Sequence, residues 1–174
     1  MVNGVAMKIR HEAPEDAAGI RHVNEQAFAQ KDEADIIDAL RSSNVLKLSL
    51  VAIEHDQIVG HIAFSPVTVE SEDSSFQALG LGPMAVLPSH QSKGIGSQLA
   101  QESLDECEKA GHEIVFVVGH PEFYGRFGFS SSKPYGFRWE HDVPDDVFMV
   151  KELRKGALTG RSGIVKYRQE FSGV

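Results

Sequence analysis

A glycine-containing turn between an apolar run and a helical pattern is the feature that most constrains how this chain can fold. The turn reads VLPSHQSKGIGS over residues 86–97, and apolar residues then recur at helical spacing to about residue 110. The first amide groups of a helix have no acceptor within the helix and carry partial positive charge, so this position suits a phosphate group. Gly94 and Gly96 lack a Cβ, which lets a ligand approach the backbone, and Lys93 adds a positive charge.

A turn of this kind occurs in several classes of protein. The P-loop pattern G-x-x-x-x-G-K-[ST] does not occur in the sequence. Residues 80–85, GLGPMA, match the dinucleotide-binding pattern G-x-G-x-x-A, but an apolar segment follows them where that pattern needs a helix, so the match is accidental. A plain strand-to-helix turn explains the glycines as well as a phosphate site does. Residue types alone therefore leave these two interpretations open.

The remaining hydrophobic pattern predicts a mixed α/β (α+β) domain with a mostly antiparallel first half. Helices are expected over residues 15–30, 34–43, 94–110 and 121–127, and strands over residues 8–10, 48–53, 58–64, 76–87, 114–118, 148–153 and 164–168. Gly80, Gly82 and Pro83 lie inside the strand at 76–87, so we expect a bulge there. We predict a single domain over residues 7–174, preceded by a disordered extension at 1–6, with Met7 an alternative start.

Composition excludes several classes of protein. The chain has 174 residues with 17 basic and 25 acidic side chains, so its net charge of −8 argues against nucleic acid as a partner. It contains no secretory signal, and no run of about 18 apolar residues that a membrane helix would need, so we predict a cytoplasmic protein without membrane contact. Its eight histidines show no metal-ligand spacing, so no metal is expected. Cys107 lies on the apolar stripe of the helix at 94–110 and is expected in the core.

Residues 91–96, QSKGIG, resemble the acetyl-CoA loop of the GCN5-related N-acetyltransferase (GNAT) family, which reads Gln/Arg-x-x-Gly-x-Gly/Ala. The loop follows the apolar segment 84–88 and precedes an amphipathic helix, and residues 124–129, YGRFGF, are similar to the family's later Tyr-x-x-x-Gly-Phe. The order and spacing of these parts make the resemblance strong over residues 48–130. The segment GHPEFY at 119–124 is similar to the YhbS-like bacterial branch of the family.

This resemblance implies a fold, a donor substrate and a set of site residues. The implied GNAT fold is a central mixed, mostly antiparallel sheet that splays between its fourth and fifth strands and is flanked by helices. The implied donor is acetyl-CoA, whose pantetheine arm would pair with the backbone of the bulged strand and whose pyrophosphate would bind the loop. The implied acetyl-CoA residues are Met84, Ala85, Val86, Gln91, Ser92, Lys93, Gly94, Ile95, Gly96 and Ser97.

Tyr124 occupies the family's position for the general acid that protonates the departing thiolate, although a packing role beside neighbouring phenylalanines is the alternative. The general base is left open. Many relatives have a glutamate on the bulged strand, but residues 77–86 contain no acidic side chain here. The other candidates for the base are Glu72, Glu122, His61 and His120.

The resemblance implies an N-acetyltransferase that moves an acetyl group from acetyl-CoA to a primary amine by direct attack in a ternary complex. Two alternatives are a non-catalytic acyl-CoA-binding or sensing module of the same fold, and a protein that binds a different phosphate ligand on the loop. The sequence does not identify the amine, but the surplus of acidic residues favours a cationic acceptor. An exposed final strand at 164–168 suggests a homodimer formed by strand pairing.

Overall fold

The computed structural model describes residues 7–172, so the predicted extension at 1–6 lies outside the described residues. The strands are β1 (Lys8–His11), β2 (Leu48–Glu54), β3 (Gln57–Glu70), β4 (Ser75–Val86), β5 (Ile114–Val118), β6 (Ser130–Ser131), β7 (Phe137–Trp139), β8 (Phe148–Glu152) and β9 (Gly163–Lys166). The helices are α1 (Ala17–Phe28), α2 (Asp32–Ser42), α3 (Ile95–Lys109) and α4 (Pro121–Tyr124).

The strand pairing is mixed, as the sequence predicts. The pairs β1–β2, β2–β3, β3–β9, β5–β8 and β6–β8 are antiparallel. The pairs β4–β5 and β7–β9 are parallel. Together with the flanking helices, this arrangement confirms the predicted mixed α/β class.

The splay between the fourth and fifth strands is visible in their register. Among the described residues, β4 and β5 pair at Leu79↔Val115 and Gly80↔Phe116, and β4 continues beyond these pairs to Val86. Gly82, just beyond the last pair, has φ +136°, a conformation that residues with a side chain rarely adopt. The glycine thus lies where the sequence predicts a bulge.

The chain divides into two compact units, and β3 and β4 each contribute residues to both. The first unit comprises residues 7–64 and Gly82–Ser103. In it β1, β2 and the first part of β3 form antiparallel pairs, and the β2–β3 turn has positive φ at both His55 and Asp56, as a two-residue hairpin turn requires. Ile20 and Ile37, from α1 and α2, pack with Val51 of β2.

The second unit comprises Ser65–Leu81 and Leu104–Ser172. Its core joins apolar residues of β3, β5, β8 and β9 around Phe116, whose ring stacks on Phe148 at 5.5 Å and meets Phe137 edge-on at 5.3 Å. The continuous apolar run of β5 thus lies in a core, as a buried strand requires. The expectation of a single domain stays a prediction.

Several predicted boundaries are wrong for identifiable reasons. The strand expected over residues 58–64 extends to Glu70, because β3 pairs with β2 up to Phe64 and with β9 from Thr68, and Pro66 lies in the gap between these two ladders. The short strands β6 and β7 lie in a region whose sequence pattern is irregular and predicts no strand.

The prediction that the final strand has an exposed edge is also wrong. β9 pairs with β3 on one side and with β7 on the other, so both of its edges are occupied. The homodimer prediction therefore loses the free strand edge on which it depends.

Candidate functional site

The loop at residues 88–94 joins β4 to α3 within the first unit. A single 3-10 turn, Pro88–His90, follows β4, and the residues from Gln91 to Gly94 are exposed. Ser92 and Gly94 have φ values of +64° and +87°, which reverse the chain before α3 begins at Ile95. Gln98 N–H donates to Gly94 O at 3.0 Å, so the amides of Ile95 and Gly96 precede the first hydrogen bond of the helix.

Contacts at the start of the loop fix its position. Leu87 N–H donates to Val59 O of β3 at 2.9 Å, and His90 Nε2 lies 3.4 Å from Glu54 Oε1. The amide nitrogen of the Gln91 side chain donates to Val86 O at 3.0 Å, which ties the loop to the last residue of β4. Gln91, predicted to contact the ligand, therefore braces the loop through its side chain.

The close approach of α3 to β3 depends on Gly60. A Cβ at residue 60 would lie 3.0 Å from Leu99 Cδ1 and 3.1 Å from Ile95 Cγ2. Ile95 and Leu99 are both buried, so the first turn of α3 packs directly on the strand and its amide groups are held in place. The predicted residues Met84 to Val86 and Gln91 to Ser97 thus all lie in the first unit.

Tyr124 ends α4 in the second unit, and the residue is 9 % exposed. Its ring meets Phe123 edge-on at 4.9 Å and Phe129 at 5.8 Å. The ring also lies against the backbone at Gly119, where a Cβ would be 2.5 Å from Tyr124 Cε2. Gly119, the first residue of the GHPEFY segment, is therefore required by the ring of Tyr124, its last residue.

The second glycine of the YGRFGF segment is also required by the local backbone geometry. Gly128 has φ +94° and turns the chain back after a 3-10 turn, and Phe129 N–H then donates to Tyr124 O at 3.4 Å. This reversal brings the Phe129 ring onto Tyr124. The Tyr-x-x-x-Gly-Phe pattern thus encodes a closed turn that holds one phenol in a fixed orientation.

Burial raises the pKa of Tyr124 to about 12. The phenol is therefore protonated across the neutral range and can donate a proton or a hydrogen bond. It fits a general acid better than a general base. That role of Tyr124 stays a prediction, as do the roles of the loop residues.

His61, one of the candidate bases, is fully buried in a polar network of the first unit. The hydroxyl of Ser49 donates to Glu12 Oε1, so the Ser49 oxygen accepts from His61 Nε2–H at 2.8 Å, and Nδ1 faces the Asn24 amide at 3.5 Å. Burial lowers the pKa of His61 to about 4, a shift that Glu12 opposes and Arg41 reinforces. The 4.0 Å separation of His61 Nε2 and Glu12 Oε1 is therefore no ion pair at neutral pH. The remaining candidate bases, Glu72, Glu122 and His120, are exposed.

Cysteine chemistry, metal binding and membrane insertion are three further points on which the sequence makes a prediction. Cys107 is buried in the core as predicted, and burial raises the pKa of its thiol to about 12, which leaves it a poor nucleophile. Over residues 7–172, no three His, Cys, Asp or Glu side chains are placed to hold a metal ion. Within the same range, no helix has the length and apolar character to cross a bilayer.

Two residues with unusual surroundings have no signal in the sequence that marks them as functional. Tyr167 follows β9 and packs its ring edge-on to Trp139 at 5.9 Å. The Tyr167 hydroxyl and Trp139 Nε1 are buried without a hydrogen-bond partner among the described residues. Neither residue belongs to a motif, so only three-dimensional placement could have identified them.

Comparison with known proteins identifies the class. Residues 8–131 match the family described as an acetyltransferase (GNAT) domain. The N-acetyltransferase YhbS of Escherichia coli K12 is 36% identical over 167 residues, which is 95% of this chain and 99% of that protein.

Two solved structures resemble the whole chain. The crystal structure of E. coli YhbS in complex with CoA superposes with a TM-score of 0.91 at 33% identity, covering 98% of this chain and 94% of that one. A GNAT acetyltransferase of Brucella melitensis in complex with acetyl-CoA has a TM-score of 0.80 at 37% identity, covering 96% of this chain and 99% of that one. By fold, the chain is an acyltransferase of the GNAT type. It belongs to the GNAT family of acetyltransferases, and its similarity to YhbS is in keeping with the resemblance of its GHPEFY segment.

Proposed function

We propose that this protein transfers the acetyl group of acetyl-CoA to a primary amine. The observation that carries the proposal is the loop between β4 and α3, where Gln91 ties the turn to the strand and the amides of Ile95 and Gly96 precede the first helical hydrogen bond. Such amides bind a pyrophosphate without a large positive charge on the protein. Binding through backbone amides is important here because the chain has a net charge of −8, which repels an anionic ligand. Lys93, which is exposed, would add a positive charge beside them. Relatives with CoA or acetyl-CoA bound support the same ligand.

The reaction we propose is direct attack in a ternary complex. The lone pair of a neutral amine attacks the thioester carbon, a C–N bond forms and the C–S bond breaks. The departing thiolate takes the phenolic proton of Tyr124, and the proton lost by nitrogen passes to water, from which Tyr124 is reprotonated. A separate protein base is not required if the amine arrives neutral.

The acceptor we propose is an amine that is cationic in solution and attacks in its neutral form. The acidic surplus of the chain attracts such cations. A panel of monoamines, polyamines and peptides with free N-termini, incubated with acetyl-CoA, tests this by release of the CoA thiol. Turnover with a cationic member supports the proposal. Tight CoA binding without turnover across the panel would favour the non-catalytic module, and failure of CoA to protect the fold against heat would favour a different phosphate ligand.

Replacement of Gly94 by alanine is expected to weaken acetyl-CoA binding by roughly tenfold. A Cβ at residue 94 would meet nothing within 4 Å, so the effect comes from φ +87°, which costs an L-residue about 1–2 kcal/mol unless the loop moves. Titration calorimetry with acetyl-CoA measures the change.

Gly111 offers a matched control, since it has φ +91° and equally open surroundings at the end of α3. Alanine there should cost similar folding stability and leave acetyl-CoA affinity as it was. Equal loss of affinity in both variants would contradict a role for the loop backbone in binding.

A further inference from the structure

The Tyr167 hydroxyl and Trp139 Nε1 are buried polar groups for which residues 7–172 supply no hydrogen-bond partner. Both lie in the second unit. Leaving a buried donor unpaired destabilises a protein, so such groups are rare without a reason. The location of the Tyr167 hydroxyl suggests a functional reason for its missing partner.

Tyr167 presents its hydroxyl end to the place where β4 and β5 stop pairing. A Cβ at Gly80 would lie 3.1 Å from Tyr167 Cε2 and 3.2 Å from Cζ, the carbon that bears the hydroxyl. Gly80 forms the last pair of the parallel ladder, with Phe116. A larger side chain at residue 80 would therefore displace the Tyr167 ring.

Tyr167 also lies within electrostatic range of Tyr124 in the second unit. Burial raises the pKa of Tyr167, and the neighbouring Tyr124 raises it further by electrostatic repulsion between the two phenolates. Such repulsion requires proximity, because it declines with distance. Both phenols are therefore neutral donors near neutral pH.

The ring of Tyr167 is held in a defined orientation. Its backbone N–H donates to Glu140 Oε2 at 2.8 Å. Trp139 and Phe171 pack edge-on against the ring at 5.9 and 5.2 Å. The hydroxyl is thus positioned by its surroundings although it bonds to none of the described residues.

Thioester chemistry explains why two phenols in one unit would be useful. The sulfur and the carbonyl oxygen are attached to the same carbon, and both gain negative charge as an amine attacks. Resting on the proposed function, we propose that Tyr167 is a second donor of the acyl-transfer site, whose hydroxyl hydrogen-bonds the acetyl carbonyl oxygen while Tyr124 protonates the sulfur. As the C–N bond forms, the carbonyl π pair moves onto oxygen and the Tyr167 hydrogen bond strengthens without proton transfer. When the C–S bond breaks, the pair returns and the thiolate takes the proton of Tyr124.

The test is Tyr167→Phe, which removes one oxygen and keeps the ring. Since the hydroxyl has no partner in the described chain, we expect the variant to be as stable as the parent or more stable. We expect kcat for acetyl transfer to fall about a hundredfold, as when one donor to a developing oxyanion is removed. Affinity for CoA, which lacks the acetyl group, should not change.

Ser132→Ala is the matched control, because the Ser132 hydroxyl is also buried in the second unit without a partner among residues 7–172. It should not lose stability, and its kcat should equal that of the parent. If Tyr167→Phe behaves like Ser132→Ala, with full activity, the inference is wrong. A raised KM for the amine at unchanged kcat would also overturn it, because the hydroxyl would then contact the acceptor.

A spectroscopic measurement avoids the need for a known acceptor. The infrared carbonyl stretch of carbon-13-labelled acetyl-CoA should shift to lower frequency when bound to the parent protein and to Tyr124→Phe. It should return towards its solution value in Tyr167→Phe. No difference between the parent and Tyr167→Phe would refute the hydrogen bond, whereas absence of any acetyl-CoA binding to the parent would refute the proposed function itself.

Discussion

Tyr124→Phe is expected to lower kcat for acetyl transfer by about 10²- to 10⁴-fold, the range typical of a lost general acid. Acetyl-CoA affinity should stay close to that of the parent, because the ring that packs on Gly119 and Phe129 is kept. Thiol release under saturating substrates gives kcat, and calorimetry gives the affinity. The raised pKa of about 12 means that ionisation of Tyr124 should not limit the rate anywhere near neutral pH.

Tyr135→Phe is the control for this prediction. It makes the same chemical change at a tyrosine that is 48 % exposed, and it should leave kcat unaltered. Full activity of Tyr124→Phe with a confirmed amine acceptor would remove this residue from the mechanism and leave it a packing tyrosine.

Acid is expected to destabilise the protein through His61 as the pH falls below about 6.5. The pKa of His61 is about 4 in the folded protein and 6.5 in the unfolded chain, so the unfolded chain binds more protons between these values. The contribution of the neutral, buried His61 to the free energy of unfolding is fully present above about pH 6.5, and it is lost as the pH falls towards 4. The shift corresponds to about 3 kcal/mol, of which roughly 2 kcal/mol is lost by about pH 5. Urea unfolding followed by circular dichroism at several pH values measures this slope.

Two details allow a test of whether His61 causes the pH dependence of the unfolding free energy. Burial opposes ionisation of Glu12, but hydrogen bonds from Arg41 and Ser49 outweigh it and lower the pKa of Glu12, so this carboxylate loses its stabilising contribution only at lower pH. His61→Gln keeps a side-chain donor for Ser49 and removes the titration. The variant should show a much flatter dependence of the unfolding free energy between about pH 7 and pH 5, and an unchanged slope would mean that other groups cause it.

The features that the sequence predicts correctly are those determined by residues close together in the chain. Gly94 and Gly128 adopt positive φ, and each marks a turn that a short motif encodes. Ile95 and Leu99 recur on the buried face of α3 and give the helix its recognisable period. The family resemblance adds the acetyl-CoA loop and the predicted role of Tyr124.

The parts that were missed depend on contacts between residues distant in sequence. β3 continues past Pro66 because β9, almost a hundred residues later, supplies a partner for its last residues. The network around His61 joins residues of β2, β3 and α1 with Glu12. None of these residues belongs to a sequence motif. Tyr167 likewise lies near Tyr124 and Gly80 only through the fold.

The central claim is that this chain moves an acetyl group from acetyl-CoA to an amine, and one measurement tests it most directly. The purified protein is incubated with acetyl-CoA that carries an isotopically labelled acetyl group, together with a cationic amine, and mass spectrometry follows the amine, the CoA and the protein. We expect one labelled acetyl group on the amine for each CoA released, catalysis that Tyr124→Phe largely abolishes, and no labelled protein along the way. Bound acetyl-CoA that stays intact with every amine offered, or a label that rests on the protein before it reaches the amine, would contradict the claim.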